Sequence, residues 1–408
     1  MKNVCAHSIV YAMIKTNGKR RLLRSAALLA APLLIAACGS RTANSGVQGE
    51  RLFSLDYGNF EKELNLFNLP WLREIHTSIA MRDGFFYIAN GEAKKVLELN
   101  SYGDIISLYY NAETGLNPDV ANALIRDYPF NLPEATSIDG RKYLYVTETL
   151  PADRQEYDAE RKLRCNQIVL RFNDDGEFEN YIGQEGPGGA PFPAIKNIYT
   201  NAADELIVVS TTNDGYMAYW FSPDGYLLYQ VPVAEENVPN PFGGGQFFLN
   251  VDAVVPDPAS RVLYLKTDYY AGDTDANSHL QSGIQYHGTL LHSLQVETGA
   301  YGDYIEIPPF EGTLQDGDAQ VQHEIPYDFL GVTDSGCFFF SIADESGYTV
   351  QMLYPNGRDS AKRHIDVSQD NLLYYSFNLS RQGIISALLV RRERADIVWW
   401  RTDRLAAD

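Results

Sequence analysis

Five times along the chain, a strand-like run meets a short polar turn that ends in glycine, and a second strand-like run follows. The turns close at Gly103, Gly176, Gly225, Gly299 and Gly357. Residues on either side alternate between apolar and polar, with β-branched and aromatic side chains enriched, which is the pattern of a half-buried strand pair. Each hairpin is preceded by another two-strand unit, such as "SIAMRDGFFYIAN", "ATSIDGRKYLYVTE" or "FLGVTDSGCFFFSIA". Two hairpins in tandem make a four-stranded unit. The intervals between the turn glycines are 73, 49, 74 and 58 residues, and the two long ones contain visible insertions at 150–164 and 270–288.

A recurring unit that cannot bury its own faces must stack on its neighbours. Four-stranded units stacked radially give an all-β chain, a β-propeller. A weaker sixth unit, "YYSFNLSRQGIISALLVRRERADIVWWRT", supplies three strands. Its missing fourth strand has a candidate at the other end of the chain, "ERLFSLDYG", Glu50 to Gly58. An N-terminal strand completing the last blade would close the ring and remove two open sheet edges. The expectation is therefore a six-bladed propeller of four-stranded blades over residues 50–408, with seven blades as the alternative.

The stretch "IVLRFNDDGEFENYIGQEGPGGAPFP" resembles the NHL repeat. Phe172, Gly176, Phe178, Gly183, Gly186 and Gly188 match its hairpin and the glycine-rich connector after it. The other blades match the hairpin part alone. NHL-type propellers are mostly binding modules, with some enzymes among their structural relatives, so the resemblance implies a binding role.

Ahead of the repeats lies a different kind of segment. Lys15, Lys19, Arg20, Arg21 and Arg24 precede the apolar run "AALLAAPLLIAA", Ala26 to Ala37. That run has 12 residues, short of the roughly 20 that span a bilayer core, and fits a secretory signal over residues 1–37. It ends in Ile35-Ala36-Ala37-Cys38, which resembles a bacterial lipobox. The resemblance implies cleavage before Cys38 and lipidation of that cysteine. Residues 38–49, rich in small polar side chains, would be a flexible tether. An acyl chain would then hold the protein at a membrane without a transmembrane helix. Gly39 stands where an aspartate would resemble an inner-membrane retention signal, so the expected address is the cell envelope, with the outer membrane favoured. Met13 offers a second possible start for this signal.

The signal segment holds six of the 33 basic residues and no acidic one, which leaves 27 basic against 53 acidic residues after it. A net charge of −26 excludes nucleic acid as a partner and a basic patch on anionic lipid. Beyond Cys5 and Cys38, the body contains Cys165 and Cys337, 172 positions apart and without a disulfide framework. Two buried, unpaired thiols are expected.

Propeller connectivity places hairpin turns on one face and the remaining connections on the other. The long connections, Asn111–Pro133, Leu150–Arg164, Gly183–Pro193, Asn237–Phe248, Tyr269–His287 and Phe310–Tyr327, all fall on that second face. Long connections in a compact domain often carry function. Phe242, Phe247, Tyr269, Tyr270 and Tyr286 are the candidate ligand- or partner-binding residues there. The expected partner is an envelope protein or a glycan.

Chemical motifs are sparse. "DTDANS" spaces Asp273, Asp275 and Asn277 as calcium loops do, but Ser278 and Ile284 replace the glycine and glutamate such a loop needs. His279, His287 and His292 fit no zinc spacing, and His292 sits in a strand pattern. No G-x-S-x-G occurs. Trp220, Trp399 and Trp400 fall in strands and read as packing residues. No catalytic residue, metal or cofactor is assigned. The alternatives to a binding scaffold are a calcium-assisted, lactonase-like hydrolase at the channel mouth and a receptor for a glycan or small molecule.

Overall fold

The order of the hydrogen-bonded strands resolves the repeat. The computed structural model describes residues 46–408 apart from 67–74, 244–246, 275–280, 317–318, 345, 356–359 and 407–408. The signal segment and Cys38 lie outside the described residues. Among the described residues the strands form six blades in a ring, each a meander of antiparallel strands.

Blade 1 runs through Thr77–Arg82, Phe85–Asn90, Lys95–Leu99 and Ile105–Tyr110. Pro133–Ile138, Leu144–Thr149, Gln167–Phe172 and Phe178–Gly183 make blade 2. Blade 3 holds Ile195–Thr200, Leu206–Thr212, Gly215–Phe221 and Leu227–Ala234. In blade 4 the strands are Phe247–Pro256, Val262–Thr274, Gln281–Gln295 and Tyr301–Ile307. Blade 5 takes Asp328–Val332, Phe338–Asp344, Gly347–Leu353 and Ser360–Asp366. Leu372–Leu379, Ile385–Arg391 and Ala395–Trp400 form blade 6, and Glu50–Leu55 completes it by pairing antiparallel with Ala395–Trp400. The closure expected from the sequence is the closure observed.

Each blade is buried on both faces, so its second strand is apolar at nearly every position. In blade 3, Leu206 and Val208 face the core shared with blade 2, while Ile207 and Val209 face the core shared with blade 4. Six such cores, one per blade boundary, carry the hydrophobic stabilisation. The glycines at the hairpin turns have the expected backbone: φ is 79° at Gly103, 74° at Gly176, 86° at Gly225 and 68° at Gly299, a region that a Cβ disfavours. Gly357 lies outside the described residues.

The first strand of every blade is innermost, so one of its edges faces the channel with no strand partner. Polar side chains of the neighbouring blade satisfy these edges. Ser376 Oγ and Asn378 Oδ1 of blade 6 accept from the Ile79 and Met81 amides at 3.3 and 3.0 Å. Ser78 Oγ donates to the Glu134 carbonyl, and Thr200 Oγ1 to the Ile138 carbonyl, both at 2.7 Å.

Two expectations need correction. Blades 1 and 2 have a fifth strand each, Leu124–Asp127, parallel to Ile105–Tyr110, and Gly186–Pro187. Several stretches expected as loops are strands as well. Glu156–Asp158 pairs with Leu163–Cys165, Phe310–Asp316 pairs with Ala319–Ile325, and most of Tyr269–His287 prolongs two strands of blade 4. A long chain segment with alternating polarity satisfies its own backbone most cheaply by folding into a hairpin. Cys165 and Cys337 are buried and unpaired, as expected.

Candidate functional site

The inner strands all begin on the long-loop face. Counting back four residues from the end of each gives Ser78, Glu134, Lys196, Asp252, Asp328 and Tyr375. Four consecutive blades thus place a charged residue at one level of the channel wall. β-Bulges set this arrangement. The register shifts between Ile195 and Asn197 and between Val251 and Ala253, so Lys196 and Asp252 are the extra residues, and Glu134 lies within the shift from Pro133 to Thr136. A bulge re-aims a side chain that regular pleating would send into a blade boundary.

Around Asp252 the charges form a network. Lys266 Nζ lies 2.9 Å from both Asp252 Oδ2 and Asp268 Oδ2. Thr289 Oγ1 donates to Asp268 Oδ1 at 2.5 Å and stands 2.9 Å from the Tyr286 hydroxyl. Burial pushes the Asp268 carboxyl upward, against the pull of Lys266. Asp328 is raised too, by burial and then by the negative charge of Asp252. With Lys266 and Lys196 against Asp252, Asp268, Asp328 and Glu134, the mouth carries excess negative charge.

On blade 2, Glu134 and Glu148 occupy contrasting environments. Burial raises Glu134, but His76, Thr149 and Gln167 hydrogen-bond its charged form and hold it below the usual carboxylate range. Glu148 accepts from the Asn131 amide at 2.9 Å, and its other oxygen is buried without a hydrogen-bond partner. Burial pushes its carboxyl up to about 7.

The five residues singled out from the sequence gather on blade 4. Phe242 packs against Phe247, Tyr269 and His287, with ring centroids 5.6, 5.0 and 4.6 Å away. Tyr270 and Tyr286 are cross-strand partners with ring centroids 6.0 Å apart. Tyr269 is fully buried, and its hydroxyl donates to the Pro239 carbonyl at 2.7 Å and meets His292 Nε2 at 2.8 Å. It packs against Phe242, whereas Phe242 and Phe247, and separately Tyr270 and Tyr286, keep part of their surface in solvent. His292 is structural, as its strand position implied: it is buried in Gln281–Gln295.

Sequence reading missed the bulge charges, Glu148 and the Asp268–Thr289 link. The signal was present as a lone charge opening an apolar strand in "EATSI", "KNIYT", "DAVVP" and "DFLGV". Asp275, Asn277 and His279 lie outside the described residues, and of Asp273 the backbone alone is described. Among the described residues, no group of three His, Cys, Asp or Glu side chains is arranged to hold a metal.

A second constellation lies at the outer edge of blade 5. Ser346 Oγ is 3.2 Å from His364 Nε2, and His364 Nδ1 is 3.0 Å from Asp344 Oδ2. That is the order of a nucleophile, base and orienting acid. Yet the Ser346 and Gly347 amides, which could serve as oxyanion donors, donate to Asp344 Oδ1, and Asp366 also holds Nε2 at 3.0 Å. The geometry closes a turn.

No family model matches the chain, and neither does any curated protein. Solved structures similar to it include a gluconolactonase from Xanthomonas campestris, at 10% identity and a TM-score of 0.39, over 87% of this chain and 96% of that one. An ulvan lyase is similar at 10% identity and a TM-score of 0.40, over 85% and 96%. The β-propeller domain of the trilobed protease from Pyrococcus furiosus is similar at 6% identity and a TM-score of 0.37, over 80% and 95%. The fold rests on the strand order described above, and the chemistry of these three proteins stays with them.

Proposed function

We propose that the chain is an exported lipoprotein, anchored through an acyl chain on Cys38, whose propeller acts as a binding scaffold in the cell envelope. The partner is an envelope protein or glycan that engages the long-loop face. The observation that carries this reading is the placement of two half-exposed aromatic pairs, Phe242 with Phe247 and Tyr270 with Tyr286, beside the acidic network of Asp252, Lys266 and Asp268 on blade 4. A rigid ring that presents aromatic area beside fixed charge offers affinity and orientation together. Support for the anchor comes from the basic segment, the apolar run and the lipobox-like "IAAC" ahead of a polar linker.

Cross-linking in intact cells, followed by purification of the lipidated protein, tests the scaffold. A discrete partner mapping to Asn237–Phe248 or Tyr269–His287 supports it; efficient cross-linking with no partner overturns it. Cys38→Ser should release the protein from membranes, and retention through washing would overturn the anchor.

The hydrolase alternative draws on the contrast between Glu134 and Glu148, since carboxyls pushed apart in pKa can divide acid and base roles. A large melting shift with Ca²⁺, lost on chelation, would favour it.

A further inference from the structure

The two ends of the channel differ in charge. A cavity of about 390 Å³, within the range of small-molecule sites, runs along the channel from the level of Ser78 down to Arg82 and Arg381 at the tight-turn end. It is walled by the inner strands of blades 1, 2, 3, 5 and 6. Arg82 and Arg381 line it, and no aspartate or glutamate does. In a chain with 53 acidic and 33 basic residues, such a lining departs sharply from composition. The remaining wall offers hydroxyls and amides, among them Ser78, Ser137, Thr200 and Asn378.

Both guanidinium groups retain donors. Arg82 Nη1 donates to the Ile138 carbonyl at 2.5 Å, and its Nε lies 3.6 Å from Asp83. Arg381 Nε donates to Asp334 Oδ1 at 2.8 Å. Among the described residues, no protein acceptor engages Arg82 Nη2 or either terminal nitrogen of Arg381. Asp83 and Asp334 lie outside the cavity lining and are 69% and 45% exposed, so water screens their effect. Inside a narrow, low-dielectric channel, by contrast, the field of the arginines is focused.

We propose that this cavity binds a small oxyanion on a hydroxylated skeleton, a sugar phosphate or a sugar acid. The arginines take the phosphate or carboxylate through charge-assisted hydrogen bonds. Ser78, Ser137, Thr200 and Asn378 meet the hydroxyls. The acidic mouth, with Asp252, Asp268 and Asp328, repels the same anion, so it arrives from the tight-turn face. This site is separate from the aromatic patch and does not depend on the scaffold reading.

The test is calorimetric titration of the full-length protein in detergent with glucose 6-phosphate, glucuronate, inorganic phosphate and uncharged glucose. Saturable binding of glucose 6-phosphate or glucuronate, with glucose silent, is expected. The stronger of the two identifies phosphate or carboxylate as the group recognised. Arg381→Gln should weaken binding roughly tenfold or more, the loss expected for charge-assisted hydrogen bonds. Arg381→Lys should restore part of it. No saturation with glucose 6-phosphate or glucuronate up to about 10 mM, beyond the range of weak specific ligands, would overturn the site. So would equal binding of glucose, or of inorganic phosphate alone, or binding untouched by both Arg381→Gln and Arg82→Gln.

Discussion

Blades 3 and 4 share a boundary and a strand order, yet they leave the disc at different heights. The second and third strands are 7 residues each in blade 3 and 13 and 15 residues in blade 4. The additional residues lift a hairpin on the order of 20 Å above the long-loop face. On the tight-turn side the two blades are locked together. Arg261 Nη2 of the blade 4 turn donates to Glu205 Oε1 of the blade 3 turn at 2.5 Å, and Trp220 Nε1 donates to Glu205 Oε2 at 2.7 Å. Variation is thus confined to one face, while the other face and the boundary cores hold the ring.

The sharpest way to break this contrast is within the shared core. Trp220 is fully buried between the two blades. Trp220→Ala should cost about 3–5 kcal/mol in chemical denaturation, since it opens a large cavity and strips a donor from Glu205. An effect below about 1 kcal/mol would mean that the boundary is not what unites the blades.

Two pH experiments come next in size. Burial favours the protonated form of Glu148, raising the carboxyl from 4.5 to about 7. Its contribution is complete below pH 4.5 and is lost as pH rises through 7. Glu148→Gln should therefore be more stable than the wild type above pH 7, by about 1–3 kcal/mol, and equal to it near pH 4. His292 has the opposite sense: burial lowers it from 6.5 to about 4. Its contribution is complete above pH 6.5 and is lost as pH falls through 4. Hydrogen exchange should show Gln281–Gln295 opening on acidification before the strands of blade 3. Uniform opening of both blades would remove the distinction.

The smallest effect on stability should come from the patch. Phe242→Ala with Phe247→Ala removes half-exposed rings, at a cost of about 1 kcal/mol or less, yet it should abolish partner cross-linking. Intact cross-linking in that variant would move the binding surface off blade 4.

The ring and its closure were legible because their signals are local. A turn glycine at positive φ and alternating polarity can be read within a dozen residues. Glu50–Leu55 was found by elimination, as the strand the last blade lacked. The charged mouth leaves only a faint signal, a lone charge opening each apolar strand, because a bulge is a one-residue slip that has no period. Adjacent Tyr269 and Tyr270 were indistinguishable in sequence, but successive residues of a strand point to opposite faces, so one is buried and the other stays at the surface. The reach of blade 4 was hidden for a related reason: alternation continuing past Tyr269 was taken for an insertion.

The pairing of Glu50–Leu55 with Ala395–Trp400 also sets a clock. The two strands are separated by most of the chain, so their contact carries a large loop-closure cost and forms late. Until the last of these residues has been synthesised, the sixth blade lacks its third strand and Glu50–Leu55 has nothing to pair with. The ring therefore cannot lock while its tail is still being made.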